Sequence, residues 1–267
     1  MDHLTKLEQK SIFIIREAFA EFKKISILWS IGKDSTTLLW LCRKAFYGKI
    51  PFPVIHIDTG AKFDEMYAFR DKWAEEWGLN LIIAKNEEAM KKGIKCGNCD
   101  NITCCNELKT NALKQAMELN KFKALILGIR RDEHGIRAKE RYFSPRNEEF
   151  KWNYKDQPPE LWDQYKSKAK QEEHIRVHPL LHWTELDIWE YVKRENIPTN
   201  SLYFAKNGKR FRSLGCKPNT TPVNSTASDV EQIVEELKKT KIAERSGRSQ
   251  DKEQAYVMQR LRSLGYM

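Results

Sequence analysis

Three groups of residues in this chain have the types and spacing to do chemistry. The first is Ser30-Ile31-Gly32-Lys33-Asp34-Ser35-Thr36. Gly32 lets backbone approach an oxyanion closely. Lys33 adds a mobile point charge, and Ser30, Ser35 and Thr36 add hydroxyl donors. An apolar, β-favouring run, Ile25 to Trp29, precedes the group, and helix-patterned Leu38-Leu39-Trp40-Leu41 follows it. Strand, tight loop and helix together aim backbone N–H groups and a helix N-terminus at a phosphate. Ser30, Gly32, Lys33, Asp34 and Ser35 are therefore candidate phosphate-binding residues. The loop is not of the G-x-x-x-x-G-K-[ST] kind, because Ile27 stands where that pattern places its first glycine. An ordinary strand–turn–helix capped by Ser35 is the plainer alternative.

The second group lies at strand termini. Lys123 to Gly128 reads as a strand that runs into Ile129-Arg130-Arg131, and Val54 to Ile57 reads as one that runs into Asp58-Thr59-Gly60. Ligands of open α/β sheets sit off the carboxyl ends of strands. Arg130 and Arg131 suit phosphate or sulfate because the guanidinium fork binds oxyanions bidentately; a surface turn is the alternative. Asp58 falls where it could touch a ribose, a Mg²⁺-bound phosphate or the adenine, and a turn aspartate is again the plain reading. Gly60 and Gly128 give the two termini room. His56, inside a strand, reads as a packed histidine.

The third group is Cys96-x-x-Cys99-x4-Cys104-Cys105, with Cys216 far downstream. In a cytosolic chain such a cluster is a metal site or redox centre rather than a disulfide staple. Thiolates in this number suit tetrahedral Zn²⁺ or an iron–sulfur cluster, and a purely structural Zn²⁺ knuckle is the bland version. Cys42 lies in an apolar helix and reads as a small core residue.

The elements that must hold these groups alternate. A helix over 4–24 leads to the first strand, and a second helix follows from about Thr36 to Tyr47. After the strand at Val54 comes an amphipathic helix, Phe63 to Trp77, whose aromatic stripe reads as core, and then a strand over 79–84. This βαβαβ order predicts a doubly wound parallel sheet with right-handed crossovers. Residues 142–176 show weak periodicity and read as an irregular excursion, a lid over the site, and Ile175 to Leu180 reads as a further strand. Thr184 caps a helix that ends before Pro198, and Ser228-Asp229-Val230-Glu231 reads as a capping box for a helix to about Thr240. Glu244-Arg245-Ser246-Gly247-Arg248 reads as a polar linker to a last helix, Asp251 to Leu264. The expected organisation is a nucleotide-binding domain over 1–198 and a turn-rich, helical C-terminal extension over 199–267.

With 267 residues, 40% hydrophobic and 11% aromatic, the chain can bury a substantial core. The net charge of +10 suits an anionic partner, a nucleotide, sulfate or RNA, but the basic residues are scattered among acids and form no nucleic-acid motif. RNA is accordingly disfavoured. No apolar run approaches the roughly 20 residues of a membrane span, and the start lacks a signal-peptide layout. A cytoplasmic protein is expected.

Ser30-Ile31-Gly32-Lys33-Asp34-Ser35 resembles the pyrophosphate-binding loop of the adenine-nucleotide α-hydrolase, or ATP pyrophosphatase, superfamily. His56-Ile57-Asp58-Thr59-Gly60, Arg130-Arg131-Asp132-Glu133, Arg137 to Arg141, Pro158 to Trp162, Trp183-Thr184, Leu214-Gly215-Cys216 and Glu244 to Arg248 extend the likeness over nearly the whole chain. Together they resemble the small-subunit family of sulfate adenylyltransferase. The resemblance implies ATP on the 30–35 loop, Mg²⁺, attack of sulfate on the α-phosphorus, and Lys33, Arg130 and Arg131 neutralising charge. It also implies a GTPase large subunit as partner; a homo-oligomer is left open. Two departures stand out. The segment between Tyr203 and Phe211 is shorter than the family's text, and the cluster Cys96, Cys99, Cys104, Cys105 is foreign to it. Cys104-Cys105 and Cys216 resemble three of the four [4Fe-4S] ligands of adenylylsulfate reductases, with Asn219 in the fourth place, where Cys96 or Cys99 could substitute. Those reductases use a nucleophilic cysteine in a C-terminal Glu-Cys-Gly stretch, and this chain has no cysteine after Cys216. A reductase is therefore an alternative, and so is an ATP-dependent thiolation enzyme acting on another sulfur-containing acceptor.

Overall fold

The computed structural model describes residues 1–153, 160, 162, 164–165, 174–247, 261 and 265. Its centre is a six-stranded sheet in the order β3-β2-β1-β4-β6-β5. The strands are β1 (Ile25–Leu28), β2 (Val54–Ile57), β3 (Leu81–Ala84), β4 (Ala124–Ile126), β5 (Phe143–Arg146) and β6 (His174–Val177). All neighbours pair in parallel except β5, which runs antiparallel to β6 at the edge. A parallel sheet is covered on both faces, so its strands read as unbroken apolar runs, and every residue of β1, β2 and β4 is buried.

Successive side chains take opposite faces. Ile25, Ile27, Val54, Ala124 and Ile126 point into one core, together with α1 (His3–Glu21), α2 (Lys33–Ala45), α3 (Asp64–Glu76) and α7 (Glu185–Glu195). Leu28, Ile55, Ile57, Leu125 and Leu127 point into a second core, against α6 (Ala112–Asn120). Two short helices, α4 (Glu87–Lys91) and α5 (Asn101–Cys105), precede α6, and a π-helical turn over Asn106–Asn111 joins α5 to it. The aromatic stripe of α3 is core as expected: Phe69, Trp73 and Trp77 pack around Trp29.

The chain runs outward from β1 to β3 and then crosses back to β4 on the other side of β1. The crevice beyond the carboxyl ends of β1 and β4 is thus the topological switch point, where open α/β sheets bind ligands.

Several sequence expectations need correction. Residues 143–146 of the expected lid are a sheet strand, whereas the strand expected from Ile175 onward is present as β6, His174–Val177. Phe143–Arg146 was illegible because Pro145 and the buried charge of Arg146 break the strand pattern. Residues 154–159, 161, 163 and 166–173 of that lid lie outside the described residues. Helix α8 (Val230–Lys239) takes Asp229 as N-cap, with the side chain accepting from Gln232 N–H at 2.8 Å, one residue later than the Ser228 capping box predicts. The C-terminal extension shares the main core, since Ala227, Ile233 and Val234 join the first cluster. Between Tyr203 and Phe211 the chain turns back tightly through Asn207 and Gly208, both at positive φ, into a hairpin of β7 (Lys209–Arg210) with β8 (Val223–Asn224). The expected helix over 251–264 lies outside the described residues apart from Leu261, which is helical and fully buried.

Candidate active site

A cavity of about 140 Å³ opens at the switch point. The end of β1 supplies Trp29 and Ser30, the start of α2 supplies Gly32 to Ser35, and the end of β4 supplies Leu127 to Ile129. Ile31 sits at φ 66, a left-handed conformation that is strained for a β-branched residue. Its side chain is buried in the core, which holds the turn in place. α2 begins at Lys33, three residues earlier than expected, and its N-cap Gly32 makes no side-chain cap bond. Ser35 is therefore not the cap. It lies inside the first turn, where its Oγ donates to the Gly32 carbonyl at 3.1 Å and meets Ser30 Oγ at 3.0 Å. The uncapped first turn points its N–H groups at the cavity. One is already engaged: Lys33 N–H donates to Tyr203 Oη at 2.8 Å.

Gly128 is required by close approach. A Cβ there would stand 3.2 Å from the Asp34 carbonyl and from Ser35 Cα. The missing side chain lets the end of β4 lie directly against the first turn of α2.

Below the loop lies a buried charge network. Lys33 Nζ contacts Asp34 Oδ2 at 3.0 Å and Glu244 Oε1. Arg130, fully buried, donates to Asp34 Oδ1 and Asp132 Oδ1 at 2.7 Å each and to Glu244 Oε2. Burial alone would lower the Lys33 ammonium pKa, but the Asp34 and Glu244 carboxylates outweigh it and raise it above its usual value. Burial likewise opposes ionisation of Glu244, yet Arg130 and Lys33 hold it well below the carboxylate range. Burial pushes the Asp132 carboxyl up, against the pull of Arg130.

Five cationic residues line the cavity, Lys33, Lys62, Lys109, Arg137 and Arg245, the Lys33 ammonium being turned into the buried network. Glu133 accepts from Arg137 and, at 2.7 Å, from Arg245, so one carboxylate holds two guanidinium groups over the cavity.

Of the sequence candidates, Ser30, Gly32, Lys33, Asp34, Ser35 and Gly128 line the cavity. Arg130 lies under it as a strut. Arg131 turns away, donating to the Glu140 carbonyl at 2.9 Å and contacting His182; adjacent residues in extended chain point oppositely. Asp58 accepts from Gly60 N–H at 2.8 Å and Tyr67 Oη at 2.7 Å and pairs with Lys85 at 3.1 Å. It therefore braces the end of β2, with Gly60, beside the cavity rather than in its wall. His56 is buried, with Nδ1 at 2.9 Å from the Trp29 carbonyl. Sequence reasoning missed Lys109, Arg245 and Glu244. Lys109 had no signal beyond its place in a helix. Glu244-Arg245 read as linker because two charges beside Ser and Gly resemble solvated chain.

The cysteines resolve into two environments. Cys96, Cys104 and Cys216 are buried in one apolar cluster, and Cys99 packs against it. Cys105, next on the helix, takes its thiol toward Lys109 Nζ, 3.6 Å away. Among the described residues no group of three or more His, Cys, Asp or Glu side chains stands arranged to hold a metal ion. Of the five expected ligands, Cys96, Cys99, Cys104 and Cys216 share one apolar cluster, and Cys105 faces Lys109. Cys42 is a buried core residue.

The profile of the phosphoadenosine phosphosulfate reductase domain matches residues 24–222. Sulfate adenylyltransferase subunit 2 of Geotalea daltonii is 44% identical over 296 aligned positions, covering 100% of this chain and 98% of that protein. Among solved structures, FMN adenylyltransferase of Candida glabrata superposes with TM-score 0.57 at 20% identity, over 82% of this chain and 63% of that one. The phosphoadenylyl-sulfate reductase of Candida auris, a phosphate complex, gives 0.56 at 17% identity over 83% and 97%. These two establish a shared fold. The full-length likeness at 44% identity carries more: this chain belongs to the sulfate adenylyltransferase subunit 2 family, within the phosphoadenosine phosphosulfate reductase-domain proteins.

Proposed function

We propose that the chain transfers the adenylyl group of ATP to sulfate, giving adenosine 5′-phosphosulfate and pyrophosphate. One observation carries the reading: the uncapped first turn of α2 lines a cavity to which five cationic residues contribute. A sulfate oxygen attacks the α-phosphorus, and the bond to the β-phosphate oxygen breaks to release pyrophosphate. Such chemistry needs positioning and charge neutralisation, with no protein nucleophile. In this reading the 30–35 loop holds the β- and γ-phosphates by backbone N–H groups and hydroxyls. Lys33 supplies a point charge, and Arg137 and Arg245 hold the departing pyrophosphate. Arg130 is a positioning residue, fixing Asp34 and Glu244.

Mg²⁺ fits as a companion of the nucleotide. Such sites bind it through substrate phosphates and one or two carboxylates; here Asp34 and Glu133 are at the wall. It would neutralise phosphate charge. Formation of a phosphosulfate anhydride is uphill, so a partner that couples it to another reaction, a GTPase large subunit, belongs to the same reading. Among the described residues no helix is long and apolar enough to cross a membrane; we place the protein in the cytoplasm. Reduction or thiolation is less well supported, because the wall, among the described residues, contains no cysteine.

The test is exchange of labelled pyrophosphate into ATP. It should depend on sulfate and disappear in Lys33→Ala. Exchange that ignores sulfate, or survives that substitution, would overturn the proposal.

A further inference from the structure

Tyr203 is far from the phosphate loop in sequence and directly over it in space. It lines the cavity and is 1% exposed. Its position is fixed from three sides. The 3₁₀ turn Ser201–Tyr203 is capped by Asn200, whose side chain accepts from Leu202 N–H at 3.0 Å. Asn200 is itself buried, and its Nδ2 donates to the Glu65 carbonyl at 3.0 Å, which ties the turn to the start of α3. The Tyr203 ring packs edge-on against Trp189 of α7, with centroids 5.4 Å apart. The hydroxyl is thus held with little freedom left. Oη accepts from Lys33 N–H at 2.8 Å and lies 3.4 Å from the point that a Gly32 Cβ would take.

A phenol has one proton to give and lone pairs with which to accept. Here a lone pair is used and the proton is not. Among the described residues Oη makes one hydrogen bond, the one it accepts. A buried tyrosine O–H ordinarily has an acceptor, and the space beside this one is the cavity. The N–H that Oη accepts belongs to the positive end of α2, and a donor on the oxygen polarises the O–H outward. Burial pushes the phenol pKa up, so the proton stays on at neutral pH.

We propose that Tyr203 is a substrate-contacting residue: it keeps its bond from Lys33 N–H and donates its own proton to an oxygen of the pyrophosphate moiety of ATP. The inference rests on the reading of the chain as an adenylyltransferase and adds to it a donor from outside the phosphate loop. The Lys33 N–H acts on the nucleotide through the hydroxyl, beside the other N–H groups of the turn. The proton stays on Oη throughout, so no covalent step is involved. Negative charge builds on the departing pyrophosphate as the bond to the α-phosphorus breaks. A donor already fixed beside it therefore acts more strongly in the transition state than on bound ATP. The competing role is that of a plug, in which Oη holds a phosphate oxygen's place on Lys33 N–H and leaves when ATP arrives. The two roles give opposite signs for one substitution.

Tyr203→Phe removes one oxygen and keeps the ring against Trp189. The experiment is calorimetric titration of the full chain and of this variant with pyrophosphate, beside the rate of pyrophosphate–ATP exchange, with urea unfolding to check the fold. The variant should bind pyrophosphate about ten- to a hundredfold more weakly, the range of a hydrogen bond to a charged group. Its maximal exchange rate should fall at least about tenfold as well, because the donor acts most strongly as charge leaves the α-phosphorus. A folded variant that binds pyrophosphate as tightly as the parent, or more tightly, would overturn the proposal and make the hydroxyl a plug or a plain helix cap. So would a parent chain that takes up no pyrophosphate. A crystal structure of the parent with pyrophosphate answers even if the variant fails to fold. Oη should keep its Lys33 contact and stand about 2.7 Å from a phosphate oxygen; an Oη displaced from Lys33 N–H by the phosphate would refute it. Pyrophosphate alone is the probe, so weaker binding in Tyr203→Phe supports the inference even where exchange in the parent ignores sulfate. Unchanged binding refutes it even where exchange needs sulfate.

Discussion

Glu244→Gln separates what the charge network does for folding from what it does for ATP. The Glu244 carboxylate sits between Lys33 and Arg130, the two buried cations beneath the phosphate loop. With Asp34 and Asp132 it gives the floor three negative charges against two positive ones. The cavity, about 140 Å³, is smaller than the roughly 300 Å³ of an ordinary ligand pocket. On this account ATP displaces the Glu244 carboxylate, and its phosphate takes over the carboxylate's place on Lys33. Were both to stay on the Lys33 ammonium, a phosphate oxygen and Glu244 would stand about 5 Å apart, and it is their repulsion that drives the exchange. At an effective dielectric of about 20 their repulsion is about 3 kcal/mol. Glutamine keeps the shape and removes the charge. The variant should bind ATP between about tenfold and a hundredfold more tightly, at about 1.4 kcal/mol per tenfold. It should lose about 3 kcal/mol of folding stability, because two buried cations lose a partner. Calorimetric ATP titration beside urea unfolding reads both. A folded Glu244→Gln chain that binds ATP more weakly than the parent would refute the exchange, and Glu244 would then be a fixed brace.

Other consequences are sharper for being paired. Arg137→Ala should cut kcat/KM for ATP by tenfold or more, because it removes a charged donor worth about 1.5–3 kcal/mol from the wall. Arg131→Ala, which faces His182 and Glu140, should change it less than threefold; steady-state kinetics of the two decides whether the second arginine of the pair is catalytic. Gly128→Ala should displace the first turn of α2, since the new methyl meets backbone at 3.2 Å, and should lower stability by about 1–3 kcal/mol with a matching loss of ATP affinity. Stability should fall as pH drops from 6.5 towards 4. His56, His174 and His178 are buried, and burial first, then neighbouring cations, depress their imidazoles, to about 4 for His56 and about 2 for His174. In that window the unfolded chain takes up protons that the fold refuses, so each histidine removes up to about 1.4 kcal/mol per pH unit. A urea midpoint flat between pH 4 and 6.5 would contradict this.

The parallel sheet and its phosphate loop were legible because their signals are local. Continuous apolar runs at Ile25 and Val54 mark buried strands, and a Gly-Lys-x-Ser turn between strand and helix marks an anion site. Trp29 and the stripe of α3 carried their burial in their composition. What escaped the sequence is what tertiary contact decides. Phe143–Arg146 is a strand because its edge partner β6 accepts it, although its own residues include Pro145 and Arg146. Of two adjacent arginines, the direction of the chain beyond β4 alone decides that Arg130 goes under the loop and Arg131 outside. Glu244 and Arg245 lie more than a hundred residues from Arg130 and Glu133, so no spacing rule joins them. The cysteine spacing does not say which thiols share a neighbourhood; the fold brings Cys216 to Cys96 and Cys104 and turns Cys105 toward Lys109.

The most direct test of the central claim is a crystal structure with an ATP analogue whose α–β bridge is a methylene, which cannot be cleaved there. The triphosphate should lie on the backbone N–H groups of Gly32 to Ser35, with Lys33 on its oxygens and Glu244 displaced. A triphosphate bound at another edge of the sheet, with the Lys33–Glu244 contact intact, would contradict it.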